Sequence, residues 1–221
     1  MAHPAGTVGI CVQETGRYTA FTESMSGLQT PEGSGIRYQY GTDIPNGMSQ
    51  LVQKMEGDWL WIMGDDHCFH PDLLMRLLDH EVDVVVPLCL MRQRPFAPVV
   101  RVDEEGHVID LTRAATSGLV KIHSAGSAGM LIRRAVLDDV MDAWEGPVFE
   151  RRADVSEDFL FCERVRRLGY DIYCDLGQTL GHMTACAIWP GIGPEGKWHQ
   201  NFVVADSFLM QFPVPESDAP S

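Results

Sequence analysis

Short apolar runs alternate along this chain with segments that have helical periodicity. Apolar or alternating runs predict strands at residues 8–12, 36–40, 60–63, 82–86, 119–122 and 170–174. Apolar residues at helical spacing predict helices at residues 21–28, 46–55 and 71–80, and one between Ser156 and Gly169. Because strands and helices alternate, the sequence indicates an α/β fold with one central sheet and flanking helices.

Other segments are predicted from turn chemistry rather than from periodicity. Residues 98–102 and 107–111 predict a hairpin, since an acidic turn that ends in glycine joins them. The small residues 126–129 would let the backbone approach a ligand closely, or would form a simple bulge. Because no repeat or linker interrupts the chain, we expect one domain over residues 1–190 and a partly flexible C-terminal segment over residues 191–221.

The strand at 60–63 runs into two carboxylates and an imidazole, Asp65, Asp66 and His67. The helix at 71–80 follows, so these side chains belong to the carboxyl end of the strand, the edge where open α/β sheets bind ligands. Hard oxygen ligands beside an imidazole suit Mn²⁺ or Mg²⁺. Taken alone, the same residues could equally form a solvated turn that caps the helix.

A second acidic pair opens the helix that follows Ser156. Ser156 is a suitable N-cap and Gly169 can end the helix, which places Glu157 and Asp158 in its first turn. The helix dipole favours an ionised carboxylate there, as a general base requires. Acidic residues in a first turn are also ordinary helix stabilisers, so the meaning of the pair depends on the other motifs.

Five motifs, in this order, resemble those of the glycosyltransferases of the GT-A fold, particularly the large family-2-like group. They are the strand that ends in Asp65-Asp66-His67, the helix at Pro71-Asp72, the glycine-containing segment 126–134, the pair Glu157-Asp158 in a helix that ends Leu168-Gly169-Tyr170, and Gly181-His182. The resemblance covers about residues 7–184. It implies a single nucleotide-diphospho-sugar transferase domain with a mostly parallel central sheet.

The resemblance also implies a set of metal ligands. Gly64 stands where the family's Asp-x-Asp motif commonly has an aspartate, which leaves two registers open. In one, Asp66 alone takes the place of the second aspartate. In the other, Asp65-Asp66-His67 is an Asp-x-His variant in which Asp65, His67 and His182 hold Mn²⁺ or Mg²⁺ and Asp66 contacts ribose or metal. We favour the second register, since His182 completes that ligand set.

Donor-binding and catalytic residues follow from the same resemblance. Nucleotide contacts are expected from Gln13, Thr15, Asp43, Asn46 and Asp66. Asp158 matches the catalytic base of inverting members of the family, and Glu157 would support a loop or the acceptor. The Asp-x-His register resembles enzymes that retain configuration, so the stereochemistry stays open.

Composition and charge narrow the expected location and partners. The 221 residues, 45% hydrophobic, can bury a full core, and the net charge of −14 argues against broad electrostatic binding to nucleic acid or anionic membranes. Six cysteines without CxxC pairing, no signal peptide and no apolar run of membrane length predict a cytoplasmic protein with reduced thiols. We therefore expect no membrane association; the nucleotide-sugar donor is what the family resemblance implies.

Three functions from different classes fit these patterns. The leading hypothesis is metal-dependent transfer of a hexosyl or related sugar from a nucleoside diphosphate sugar, UDP-linked by family frequency, to a hydroxyl of a glycan, a small molecule or a hydroxylated pyrimidine in DNA. The second is a nucleotidyltransferase, although residues 13–17 have only one glycine where such an enzyme needs a glycine-rich basic loop. The third is a noncatalytic sugar-nucleotide-binding module, which would not need a base.

Overall fold

The computed structural model describes residues 2–12, 19–41, 43–92, 95–184, 186–192, 195–196, 198–204 and 207–213. Gln13 and Thr15 lie outside these ranges, so the nucleotide contacts predicted for them remain predictions. Within the described residues, no helix is long and apolar enough to cross a membrane.

Strands and helices alternate through most of the chain, as the hydrophobic pattern predicted. The first half contains β1 (Thr7–Val12), α1 (Thr19–Gly27), β2 (Gly35–Tyr40), α2 (Ile44–Lys54), β3 (Trp59–Gly64), β4 (His67–Cys68), α3 (Leu73–Leu78) and β5 (Val84–Cys89). The second half contains β6 (Val100–Arg101), β7 (Leu119–Ile122), β8 (Ser124–Ala125), β9 (Met130–Arg133), α4 (Arg134–Ala143), α5 (Glu157–Arg167), β10 (Ile172–His182), β11 (Cys186–Ile192), β12 (Trp198–Val204) and β13 (Ser207–Pro213).

Eight strands of the described chain form the central sheet, in the order β2-β1-β3-β9-β5-β10-β4, with β7 also paired to β10. Strands β2, β1, β3, β5 and β10 all run in one direction, and β9 lies antiparallel between β3 and β5. This arrangement confirms the predicted α/β fold with a mostly parallel central sheet. Parallel strands end together, which is why polar residues at several strand ends can meet.

Strand β3 consists of consecutive apolar residues because both faces of the sheet are covered there. Trp59, Trp61 and Met63 are buried in one cluster with the leucines of α3. Leu60 and Ile62 are buried in a second cluster with apolar residues of α2 and α4. A strand covered on both faces has no polar side, so it reads as a continuous apolar run rather than an alternating one.

The hairpin predicted from residues 98–102 and 107–111 forms only in part. Strand β6 pairs with β8, and its contact with the segment 107–111 is limited to a bridge between Arg101 and Val108 and a hydrogen bond from the Val102 N–H to the His107 carbonyl. The prediction of a regular hairpin was therefore wrong. Local turn chemistry could not reveal that the better partner lies much further along the chain.

The C-terminal part of the described chain forms a separate antiparallel sheet in the order β11-β12-β13. Strand β11 runs through residue 190. The proposed division of the chain after residue 190 remains a prediction.

Candidate active site

One cleft lies where β1, β2 and β3 end and where α2 and α5 begin. Its lining includes seven residues that the sequence predicted for the site: Asp43, Asp65, Asp66, His67, Glu157, Asp158 and His182. These residues come from four separate segments of the chain, and the fold brings them together. Asn46 is not part of the lining, and its Nδ2 donates a 2.6 Å hydrogen bond to Asp43 Oδ1.

Strand pairing places the two histidines side by side. The short strand β4 is antiparallel to the end of β10, and His67 lies directly opposite His182 in this ladder. Their imidazole rings are stacked, with centroids 4.6 Å apart and an interplanar angle of 22°. The sequence predicted both residues for one metal site, and the structure brings their rings into contact.

His67 has the hydrogen bonding expected of a neutral metal ligand. Its Nδ1 lies 3.2 Å from the Gly64 carbonyl, an acceptor, so this nitrogen carries the proton. Burial lowers the pKa of His67 to about 4, which keeps the ring neutral near pH 7. Nε2 is therefore left with a lone pair, and this buried atom has no hydrogen-bond partner among the described residues. A divalent cation would satisfy it.

His182 differs from His67 because it faces a carboxylate. Its Nδ1 lies 2.9 Å from the Leu90 carbonyl, and its Nε2 lies 3.5 Å from Asp66 Oδ2. Although burial opposes the shift, the hydrogen bond to Asp66 raises the pKa of His182 to about 9. The ring is thus protonated near neutral pH in the metal-free protein, and a bound cation would displace that proton.

Asp66 is the electrostatic centre of this side of the cleft. Its carboxylate is 2.8 Å from Arg92 Nη1, 3.1 Å from His67 Nδ1 and 3.5 Å from His182 Nε2. Burial alone would raise the pKa of Asp66, but the hydrogen bond from His182 and the nearby positive charges lower it overall. Asp66 is therefore ionised and touches both imidazoles, as expected of a residue predicted to contact ribose or metal.

Asp65 is buried on the other side of the turn, towards β1. Cys11 pairs in register with Gly64, so its thiol lies near the Asp65 carboxylate. Burial, and then the charge of Asp65, raises the pKa of the Cys11 thiol to about 12. Among the described residues, the cluster of potential ligands around the histidine pair consists of His67, Cys89 and His182, with ligand atoms within 4.8 Å of one another. Asp65 is not a member of that cluster.

Gly64, the departure from the usual Asp-x-Asp pattern, has a steric explanation. A Cβ atom at this position would lie 2.7 Å from Asp66 Oδ1 and 3.0 Å from His67 Nδ1. Because a Cβ atom does not tolerate a contact under 3.0 Å, a side chain at Gly64 would require the end of the Asp66 side chain to shift. The space that a side chain would need at Gly64 is occupied by the Asp66 carboxylate and the His67 ring.

Asp158 lies on the opposite wall of the cleft, in the first turn of α5. Ser156 occupies the predicted N-cap position, but its oxygen accepts no capping hydrogen bond from a backbone N–H of the helix, and its hydroxyl donates to Asp158 Oδ1 instead. The Phe159 N–H also donates to Oδ1, at 2.8 Å. Oδ2 faces Gly126, where a Cβ atom would lie 3.5 Å from it. The small residue at 126 therefore leaves room beside the carboxylate.

The electrostatics of Asp158 differ from the prediction made from the helix dipole. Burial raises the pKa of Asp158, and the charge of Glu157 adds to the shift. The hydrogen bonds from Ser156, Phe159 and Ser127 act in the opposite direction without cancelling it. Desolvation therefore acts against the helix terminus, and the pKa of Asp158 is raised overall.

Glu157 is buried and held by an arginine. Arg151 Nε and Nη2 lie 2.8 and 2.7 Å from Glu157 Oε2. This ion pair ties the segment before α5 to the helix start. The Glu157 charge is thus compensated from outside the helix, while Asp158 faces the cleft.

Two residues near the site were not predicted from the sequence. Arg92 follows β5, lines the cleft and pairs with Asp66. Cys89 ends the same strand, and its position is set by a pairing to β10 that no local pattern reveals. The sequence feature that could have identified both residues is their position at or just after the end of the apolar strand β5.

The known proteins that this chain resembles are solved structures. No protein-family profile and no curated protein matches the sequence. The structure of GalNAc-T7 with UDP, GalNAc and Mn²⁺ matches with a TM-score of 0.55 and 11% identity, over 82% of this chain and 43% of that chain. S. aureus TarS in complex with UDP-GlcNAc matches with a TM-score of 0.46 and 13% identity, over 81% and 59% of the two chains. The structure of A197 from STIV matches with a TM-score of 0.48 and 12% identity, over 87% of this chain and 92% of that chain.

The chain therefore has a mixed α/β fold of the GT-A type, with a mostly parallel central sheet. It spans less than half of the GalNAc-T7 chain that it matches.

Proposed function

We propose that this protein is a glycosyltransferase that uses a divalent cation to move a sugar from a nucleoside diphosphate sugar, UDP-linked, to an acceptor hydroxyl. One observation carries the proposal. A single cleft of a GT-A fold is lined both by a histidine pair with an unsatisfied buried nitrogen, among the described residues, and by Asp158, a carboxylate whose pKa is raised. The GalNAc-T7 structure, which has the same fold and contains UDP, GalNAc and Mn²⁺, supports the choice of donor and cation.

The cation would be Mn²⁺ or Mg²⁺, held by Asp65, His67 and His182 as an Asp-x-His variant of the family's metal motif. Asp66 would contact the ion or the ribose. A cation there would stabilise the charge that develops on the leaving diphosphate. His67 is prepared for this role, because its Nε2 is buried, neutral and unpartnered among the described residues.

The donor would lie along the ends of β1 and β2, with Asp43 at the base or ribose. Asp43 is the N-cap residue of α2 and lines the cleft. Arg92 would bind the diphosphate, since it supplies a partly exposed guanidinium at the cleft beside the proposed cation site. In a chain with a net charge of −14, a local cation is needed to attract a diphosphate.

Asp158 would remove the proton of the acceptor hydroxyl. Its raised pKa makes it a stronger base than an ordinary aspartate. Oδ1 already accepts hydrogen bonds from Ser156 and Phe159, so we assign the acceptor proton to Oδ2, which faces Gly126. Glu157 would hold the acceptor side of the cleft in place through Arg151. If the reaction retains configuration, the leaving phosphate would take the proton instead.

Calorimetric titration with nucleotide sugars, with and without Mn²⁺, followed by mass spectrometry of the products, tests the proposal. We expect UDP-sugar binding that requires Mn²⁺, loss of that binding in His182→Ala, and normal binding in the control His70→Ala, whose ring is exposed on the surface. Failure of every uridine, guanosine and thymidine diphosphate to bind would contradict the proposal. Donor binding without sugar transfer would favour a noncatalytic module, and pyrophosphate release from a nucleoside triphosphate would favour a nucleotidyltransferase.

A further inference from the structure

We propose that Cys89 joins His67 and His182 in a site that binds Zn²⁺, and that this site shares its two imidazoles with the proposed Mn²⁺ site. The inference deepens the proposed function by giving the cleft a second set of ligands. It rests on the positions of three side chains and does not require that a sugar be transferred.

Three strand ends bring the ligands together. Cys89 is the last residue of β5 and pairs in register with Leu180 of β10. His182 lies two residues further along β10, and His67 is opposite His182 in the ladder with β4. The three residues therefore belong to adjacent strands of one sheet rather than to flexible loops.

The distances fit a zinc ion with little rearrangement. The candidate ligand atoms of His67, Cys89 and His182 lie within 4.8 Å of one another. Zinc bonds of about 2.0 to 2.3 Å in a tetrahedron place ligand atoms roughly 3.3 to 3.8 Å apart. The ligand atoms would have to approach one another by about an ångström to reach this spacing, which small rotations of the two rings can supply.

Burial favours a ligand role for these groups. Cys89 is 1% exposed and His67 is 5% exposed, so neither side chain is available to bulk water. The Cys89 Sγ has a weak 3.7 Å contact with the Leu90 carbonyl, and His67 Nε2 has no hydrogen-bond partner among the described residues. A buried polar atom left without a partner costs roughly 1 to 3 kcal/mol, a cost that coordination would remove.

The chemistry of the donors selects the metal. One thiolate and two imidazoles suit Zn²⁺, whereas Mn²⁺ and Mg²⁺ prefer carboxylate and carbonyl oxygens. Binding of Zn²⁺ would convert the Cys89 thiol to a thiolate and would release its proton, together with the ring proton displaced from His182, to solvent. Three protein ligands would leave one of the four positions of a tetrahedral zinc ion for water. Zn²⁺ should therefore compete with Mn²⁺ for the histidines while using Cys89, which the Mn²⁺ site does not use.

Cobalt spectroscopy of the metal-free protein tests the site, because Co²⁺ replaces Zn²⁺ and a thiolate ligand gives it a charge-transfer band in the near ultraviolet. We expect this band in the wild type, its removal by added Zn²⁺, and its loss in Cys89→Ser. Zn²⁺ affinity should fall in Cys89→Ser by at least about 10- to 100-fold, the range seen even for loss of a group that only supports a ligand. Mn²⁺ affinity should stay within about twofold.

Cys68→Ser is the matched control. Cys68 is adjacent to His67 on β4, but its Sγ packs against the Gly181 backbone, where a Cβ atom would lie 2.5 Å from it. This variant should keep the charge-transfer band and the Zn²⁺ affinity. Circular dichroism and thermal unfolding without metal report whether each variant folds, and Cys89→Ala is the second variant if the buried serine is not tolerated.

The outcomes separate this inference from the proposed function. A thiolate band that persists in Cys89→Ser or Cys89→Ala, or one that disappears in Cys68→Ser, overturns the role of Cys89. Co²⁺ bound to wild type without any thiolate band also overturns it, while leaving the proposed Mn²⁺ site standing. A Cys89-dependent band in a protein that binds no nucleotide sugar supports the zinc site and contradicts the proposed function.

Discussion

His67 and His182 lie opposite each other in a two-residue ladder between β4 and β10, with their ring centroids 4.6 Å apart. Strand β4 contains only His67 and Cys68, and the Met183 N–H further ties the end of β10 to the Asp66 carbonyl at 2.7 Å. The ladder thus holds the imidazoles of two distant parts of the chain in contact. It is the structural basis of the metal site in the proposed function.

Asp158→Asn should reduce sugar transfer without removing donor binding. Asparagine has nearly the same size but cannot accept the acceptor proton, and loss of a general base typically costs about 10²- to 10⁴-fold in rate. Steady-state kinetics and calorimetry with the same nucleotide sugar measure the two effects. Asp154→Asn, the same change at an exposed aspartate, is the control and should behave as wild type. Full activity in Asp158→Asn would place the base elsewhere or favour the retaining route.

Ser156→Ala should move the acidic limb of the pH profile of kcat/KM to higher pH. The Ser156 hydroxyl donates to Asp158 and lowers its pKa, so removing this donor should raise the pKa of Asp158 further. Because the ionised form is the base, activity rises as pH increases through this pKa, and a higher pKa requires a higher pH. An acidic limb at the same pH in both proteins would show that the limb does not report Asp158.

Gly64→Asp recreates the more common Asp-x-Asp pattern. We expect it to lower the stability of the fold rather than to improve metal binding. The new Cβ would lie 2.7 Å from Asp66 Oδ1, and the new carboxylate would add charge beside Asp66. Overpacking typically costs about 1 to 3 kcal/mol, so we expect a lower free energy of unfolding by that amount. Denaturant unfolding measures it.

Gly64→Ala separates the steric conflict of Gly64→Asp from its added charge, and a second alanine variant is the control. Gly64→Ala has the same steric conflict without the charge, and it should be destabilised less than Gly64→Asp near pH 7. Gly27→Ala is the control, because a Cβ there would lie an ordinary 3.4 Å from Pro71 Cγ. Stability of Gly64→Asp equal to wild type would contradict the packing described for Gly64.

Arg92→Gln should weaken donor binding more than it slows catalysis. Arg92 is assigned to the diphosphate, and a hydrogen bond to a charged group contributes about 1.5 to 3 kcal/mol, equivalent to roughly tenfold or more in affinity. We expect a donor KM at least about tenfold higher with a smaller change in kcat. Arg113→Gln, at an exposed arginine outside the cleft, should leave both constants unchanged. An unchanged donor KM in Arg92→Gln would remove Arg92 from the binding site.

The sequence by itself determined the class of fold and most of the members of the site. The apolar run of β3 predicts a doubly covered strand, Gly169 at φ +91 ends α5 as predicted, and polar residues at the ends of such elements meet at one edge of a parallel sheet. These features are local, because periodicity, caps and turns depend on residues within a few positions of one another. Asp65, His67, Asp158 and His182 became candidates only when the order of their motifs was matched to that of the GT-A glycosyltransferases.

Only the tertiary structure decided how those residues interact. Asp158 was expected to be favoured in its ionised form by the helix terminus, but burial beneath the segment at Gly126 raises its pKa instead. Cys89 and Arg92 entered the picture because β5 pairs with β10 and ends beside the histidines. Desolvation and strand pairing depend on residues far apart in sequence, and for that reason no local pattern in this chain could predict them.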